Sequence, residues 1–133
     1  MKILIADDDD DNRLLLSKIV AQQGSADLVV DGQEALEAFG RALAHSDPYD
    51  VVFLDIMMPR LDGLQALSRM RKLEKTRALT EENAAKIFMV TALGTEKNVL
   101  AAFLEGECND FLIKPINKRM VFEKLLENGI LLK

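Results

Sequence analysis

This chain has little of several things that commonly declare a function. Among its 133 residues it has one cysteine, Cys108, and one histidine, His45. A single thiol excludes an internal disulfide and fits a reducing compartment. No apolar stretch approaches the roughly 20 residues that a membrane helix needs. The first apolar run, Ile3-Leu4-Ile5-Ala6, is too short for a signal peptide and leads straight into acids. No basic cluster offsets the net charge of −5, which argues against a nucleic-acid partner held through its phosphates. No glycine-rich turn follows that first run either. A pyrophosphate there would meet carboxylates, so dinucleotide binding is excluded. Linkers, low-complexity tracts and internal repeats are absent from the sequence. The expectation is a cytoplasmic monomer, one domain long enough to bury about two-thirds of the surface its unfolded form exposes.

What the chain does have is five consecutive aspartates, Asp7 to Asp11, directly after that apolar run. Two carboxylates about 4 Å apart repel by roughly 4 kcal/mol at an effective dielectric near 20. Acids so dense call for a cation, a proton or a helix amino terminus nearby. Four more short apolar runs follow: 26–30, Val51-Val52-Phe53-Leu54, Lys86 to Val90 and Phe111-Leu112-Ile113. Between them apolar residues keep a helical spacing. Leu14, Leu15, Ile19 and Val20 mark a first helix ended by Gly24, and Ala35, Leu36 and Phe39 a second. Leu64, Leu67 and Met70 mark a third, and Val99, Leu100 and Phe103 a fourth that stops near Gly106. Val121, Leu125 and Leu126 mark a fifth, ended at Gly129. Strands alternating with helices predict βαβ crossovers and a parallel sheet covered on both faces, a doubly wound (βα)5 α/β domain. The polar stretch from Lys72 to Ala85 is long for a helix-to-strand connection and reads as a surface insertion that extends the third helix.

In such a sheet the carboxyl ends of the central strands face one crevice, where open α/β sheets bind ligands. Four polar elements arrive there from four strands: Asp7-Asp8, Asp55, Thr91, and Lys114 before Pro115. Any one is weak evidence, since polar residues commonly end strands; the four together define a site. Oxygen-only ligands suit Mg²⁺. A carboxylate can act as a nucleophile and become an aspartyl phosphate. A lysine ammonium and a threonine hydroxyl beside the acids would hold phosphoryl oxygens.

The stretches Lys2-Ile3-Leu4-Ile5-Ala6-Asp7-Asp8-Asp9, Tyr49 to Pro59, Leu61-Asp62-Gly63, Met89-Val90-Thr91-Ala92 and Ile113-Lys114-Pro115 resemble the receiver domains of two-component response regulators. The resemblance covers essentially residues 1–133 as one receiver domain of the stand-alone, chemotaxis type. It implies a flavodoxin-like sandwich with strand order 2-1-3-4-5. It implies that Asp55 accepts phosphate from a histidine on a partner kinase or phosphotransfer protein. Asp8 and Asp55 would bind Mg²⁺ (with Mn²⁺ as a substitute), joined by the main-chain carbonyl of Met57 and, through water, by Asp7. Thr91 would bond one phosphoryl oxygen after modification and Lys114 another, with Phe111 as the switch aromatic. The Lys114–Pro115 peptide would be cis, aiming the lysine into the crevice. The output would be a changed surface of helix four, strand five and helix five, about Glu96 to Leu126, read by a downstream protein. Dimerisation on phosphorylation is compatible with this scheme. Such a protein assists its own phosphorylation but does not turn over external substrates.

Some positions depart from the family's usual pattern. Phe111 has no hydroxyl where the family often has Tyr. Met57 and Leu93, two residues after Asp55 and Thr91, cannot orient a hydrolytic water. We therefore predict a long-lived phosphoryl group, and loss of the label within seconds from purified protein would sink that expectation. Asp9, Asp10 and Asp11 read as loop, cap and first-turn acids, with Asp10 the N-cap. His45 reads as a solvated loop residue. Cys108 reads as a small packing residue with nothing basic beside it. Met57 and Met58 read as packing side chains. The alternative is a haloacid-dehalogenase-like phosphatase, which also uses an aspartyl phosphate. Its nucleophile lies after the first strand with a second acid two residues on, whereas here the nucleophile follows the third and Met57 stands two residues later.

Overall fold

The computed structural model describes residues 1–92, 96–105 and 107–133, with Glu96 and Asn98 described by backbone alone. Leu93 and Gly106, singled out above, lie outside the described residues. Strands and helices alternate in the order β1 (Lys2–Ala6), α1 (Asp10–Val20), β2 (Ser25–Val29), α2 (Gly32–Ala44), β3 (Val51–Asp55), α3 (Gly63–Thr76), β4 (Lys86–Thr91), α4 (Glu96–Leu104), β5 (Asp110–Ile113) and α5 (Lys118–Glu127). The sheet is parallel throughout, in the order β2-β1-β3-β4-β5, as expected.

The strand side chains alternate between two apolar layers, as the pleat requires. Ile3, Ile5, Val51, Phe53, Phe88, Val90 and Leu112 face α1 and α5 and pack with Leu16, Val20, Val121 and Leu125. Leu4, Ala6, Val52, Leu54, Ile87 and Met89 face the other way, onto Phe39 of α2, Leu67 and Met70 of α3, and Val99 of α4. Both faces of β1, β3 and β4 are therefore dry, which explains their unbroken apolar runs.

Side-chain caps start four helices. Asp9, Asp31, Asp62 and Asn117 accept backbone N–H groups of α1, α2, α3 and α5 respectively. Such caps are worth about 1 kcal/mol each. At α3 the cap is reciprocal: Gln65 also receives the N–H of Asp62 at 3.1 Å.

Several local expectations need correction. The N-cap of α1 is Asp9, whose carboxylate accepts from Asp11 N at 2.9 Å, while Asp10 stands inside the first turn. The buried face of α1 is Leu16 and Val20; Leu14 and Leu15 are exposed. Three consecutive leucines satisfy several helical phases at once, so spacing alone did not fix the face. Leu100, Phe103 and Leu126 likewise point outward. Strand β2 begins one residue earlier than its apolar run and, as an edge strand, is half exposed. Helix α1 ends before Gly24, whose own constraint is close approach: a Cβ there would lie 1.9 Å from the Met1 carbonyl oxygen. The Lys72 to Ala85 stretch does lengthen α3, but only to Thr76.

Candidate functional site

The carboxyl ends of β1 and β3 lie side by side where the chain's path reverses across the sheet, the switch point at which open α/β folds place their sites. Short backbone bonds carry the ladder past the strand ends. Asp7 N donates to Val29 O (3.2 Å), Ile56 N to Val90 O (3.1 Å) and Lys114 N to Thr91 O (2.8 Å). The chain positions of Asp7, Asp55, Thr91 and Lys114 are thereby fixed by the sheet itself. Below them, α3 comes unusually near. Gly63 N donates to Ile56 O at 2.9 Å, and a Cβ on Gly63 would sit 2.2 Å from the Asp55 carbonyl oxygen. Only glycine permits that approach.

Asp7, Asp55 and Thr91 are buried, whereas Asp8 faces solvent. Lys114 Nζ lies 3.3 Å from Asp7 Oδ2 and 3.3 Å from Asp55 Oδ1. The other Asp7 oxygen, Oδ1, accepts the N–H of Asp9 at 2.9 Å. Thr91 Oγ1 donates to the Ala92 carbonyl at 3.3 Å. The Lys114–Pro115 peptide is cis. One carboxylate oxygen from each of Asp7, Asp8 and Asp55 falls within 4.8 Å of the others.

The electrostatics follow from that crowding. Burial, then the charge of Asp7, pushes the Asp55 carboxyl up to about 7 against the pull of Lys114. Burial also works against the Lys114 ammonium, but the facing carboxylates of Asp55 and Asp7 outweigh it and the lysine is held above its ordinary range. One ammonium among three acids leaves a surplus of negative charge. Three oxygen donors, an uncompensated charge and a solvent-facing side fit a hard divalent cation such as Mg²⁺.

Around this centre some of the remaining residues sort differently from expectation. Phe111 is half-buried, edge-on to Phe103 with centroids 6.3 Å apart, and Lys124 Nζ lies 5.9 Å from its ring centroid. The Met58 side chain is buried, but that of Met57 is 69% exposed and packs no core. His45 is exposed yet caps α2, with its ring Nδ1 2.7 Å from the Arg41 carbonyl. Cys108 does have a cation near it, Arg71, but burial dominates and pushes its thiol up to about 11, so it is inert.

Arg13 is a residue that sequence reasoning missed. Its guanidinium reaches back from α1 to the Asp7 carbonyl at 2.7 Å and also pairs with Asp10. The available signal was a lone arginine three residues beyond Asp10, at helical spacing and just after the acidic stretch.

Comparison with known proteins agrees with this fold. A family model described as the response regulator receiver domain matches residues 3–126. The chain is 31% identical over 126 residues to the chemotaxis protein CheY of Treponema pallidum, covering 93% of this chain and 79% of that one. It also matches hybrid signal transduction histidine kinase I of Dictyostelium discoideum at 32% identity, but spans only 7% of that protein's length. Among solved structures, it superposes on a chain of the CheX–CheY–BeF3–Mg complex of Borrelia burgdorferi with a TM-score of 0.79 at 28% identity, covering 98% of this chain and 90% of the other. A chain of the Saccharomyces cerevisiae complex between the histidine phosphotransfer protein Ypd1 and the Ssk1 receiver domain gives a TM-score of 0.79 at 27% identity, covering 97% and 88%. None of these matches supports the haloacid-dehalogenase alternative.

Proposed function

This chain belongs to the response regulator receiver domain family, the phosphoryl-accepting switches of two-component and phosphorelay systems; from that premise we propose that Asp55 is its phosphoacceptor and that residues 1–133 act as one receiver domain. Receiver domains are signalling switches rather than enzymes acting on external substrates. The observation that carries the assignment is the position of Lys114 Nζ, 3.3 Å from both Asp7 and Asp55 at the switch point of the sheet. An ammonium there serves the charge of an incoming phosphoryl group as readily as that of the acids.

The donor would be a phosphohistidine on a sensor kinase or phosphotransfer protein, the kind of partner named for the yeast structure. A carboxylate oxygen of Asp55 attacks phosphorus, the new O–P bond forms as the N–P bond breaks, and the imidazole leaves with the electron pair. Lys114 then turns from carboxylates to a phosphoryl oxygen, and Thr91 Oγ1 donates to another. Asp8 and Asp55, with the Met57 carbonyl and with Asp7 through water, would hold Mg²⁺ or Mn²⁺. When bound, the ion supplies neutralising charge for the acids and the phosphoryl oxygens. The added phosphate shifts the population of the α4–β5–α5 surface toward a form read by a downstream protein. Cytoplasmic location, a monomeric resting state and dimerisation on phosphorylation complete this reading. No helix among the described residues is long and apolar enough to cross a membrane.

Labelling with a small acyl phosphate in Mg²⁺ tests the assignment. Wild type should take up about one phosphoryl group per chain in a base-labile form, and Asp55→Asn none. Equal labelling of the two proteins would overturn it.

A further inference from the structure

Arg13 lies in the first half of α1, five residues beyond Asp8, with its side chain only 15% exposed. One terminal nitrogen, Nη1, donates to the main-chain oxygen of Asp7 at 2.7 Å. The other, Nη2, is paired with the Asp10 carboxylate. The Asp7 carbonyl belongs to the peptide that leads directly into Asp8. A guanidinium is a rigid planar fork, so tying one tine to Asp10 fixes the direction of the other. The far end of the clamp, Asp10, stands in the first turn of α1 behind the Asp9 cap. Asp8 itself is exposed, and among the described residues its carboxylate has no hydrogen-bond partner. Its aim toward Asp7 and Asp55 therefore depends on the plane of the peptide before it.

We propose that Arg13 is a positioning residue for the acidic mouth: clamped by Asp10, it holds the Asp7–Asp8 peptide in the orientation that brings the Asp8 carboxylate within ligand range of Asp7 and Asp55. This rests on the reading of those three acids as the Mg²⁺ site. Charge alone would give the opposite effect, because a cation beside a dication site weakens it. A guanidinium kept against the mouth despite that repulsion serves geometry. The two effects differ in sign, which makes the proposal separable from electrostatics.

The experiment is a calorimetric titration with MgCl2 of the full chain, with thermal melts in EDTA to follow the fold. Arg13→Lys keeps the charge and removes the fork. It should weaken Mg²⁺ binding by about tenfold, the usual scale for losing a group that orients a ligand, while the metal-free melt stays near wild type. Mg²⁺ affinity unchanged in Arg13→Lys, or raised in Arg13→Gln, would overturn the proposal. Should Arg13→Lys lower the metal-free melt, Asp10→Asn against Asp11→Asn decides. Both remove one negative charge near the mouth, but only Asp10 holds the clamp. A larger loss of affinity in Asp10→Asn supports positioning, and equal losses overturn it. Asp8→Ala separates this inference from the site reading beneath it. If Asp8→Ala leaves the affinity unchanged, the Mg²⁺ assignment fails. If Asp8→Ala abolishes binding while Arg13→Lys does not weaken it, only the role of Arg13 fails.

Discussion

Asp55 concentrates the conflict in this molecule into one side chain. It must be buried to sit on the end of a central strand, and as the proposed phosphoacceptor it must carry charge to attack phosphorus. Burial and then Asp7 outweigh the pull of Lys114 and carry its carboxyl from 3.8 to about 7. Each unit of such a shift is worth about 1.4 kcal/mol between protonation states. In the metal-free protein the sign is fixed by linkage. Between the unfolded and folded values the native state holds a proton that the unfolded chain has released, so stability is fullest below about pH 4 for this group and falls as pH rises through 7. Urea denaturation in EDTA at several pH values between about 5 and 8 should show that decline, and Asp55→Asn should flatten it. The same slope in both proteins would remove Asp55 as its cause. Asp55 was legible in the sequence because a single acid ends an otherwise apolar run of four. Arg13 was legible only in part: its spacing from Asp10 signals an ion pair, but its other partner is a main-chain oxygen, and no residue pattern announces which carbonyl a guanidinium will find.

At the scale of elements, the strands were more legible than the helix faces. β1, β3 and β4 are buried on both sides, so their runs are continuous and their bounds clear. Helix α1 offered Leu14, Leu15 and Leu16 together, and only docking against β1 selected Leu16. The end of α3 was opaque for a different reason. Arg71 and Glu74 look like surface charges at helical spacing, yet they form a buried polar knot. Arg71 Nε donates to Glu107 O at 2.6 Å, Nη1 to Glu74 Oε1 (2.7 Å) and Ala85 O (2.9 Å), and Nη2 to Asn109 Oδ1 (3.0 Å). Glu74 Oε2 in turn accepts Ala85 N at 2.8 Å, and Asn109 Oδ1 accepts Ile87 N at 2.7 Å. The knot fastens α3, the start of β4 and the approach to β5 at the edge opposite the site. Arg71→Met should cost about 3 kcal/mol, because it leaves the buried Glu74 carboxylate without its cation. Urea midpoints measure this directly, and a loss below about 1 kcal/mol, the range of a surface pair, would show the knot to be ornamental.

For the whole molecule, the doubly wound arrangement makes metal binding and global stability one equilibrium. The three acids come from two different strand ends, Asp7 and Asp8 after β1 and Asp55 on β3, which are neighbours only once the sheet has formed. The unfolded chain has no such site, so a cation bound here stabilises the fold by mass action, about 2.7 kcal/mol at 100 times its Kd. For a domain of this size each kcal/mol raises Tm by roughly 3–5 °C. Saturating Mg²⁺ should therefore raise the melting temperature by about 10 °C at pH 8. The rise should be smaller at pH 5, where Asp55 keeps its proton and the ion must displace it. Asp8→Ala should remove the shift, and Asp11→Ala should leave most of it, since Asp11 belongs to the helix and not to the triad. Residue patterns alone carried the parallel sheet and the convergence of four polar strand ends, but the order of strands came from the family resemblance. If Asp8→Ala and Asp11→Ala lower the Mg²⁺ shift equally, the acidic run acts as a diffuse field, and the division of labour within it, with Asp8 as ligand and Asp9 as cap, is wrong.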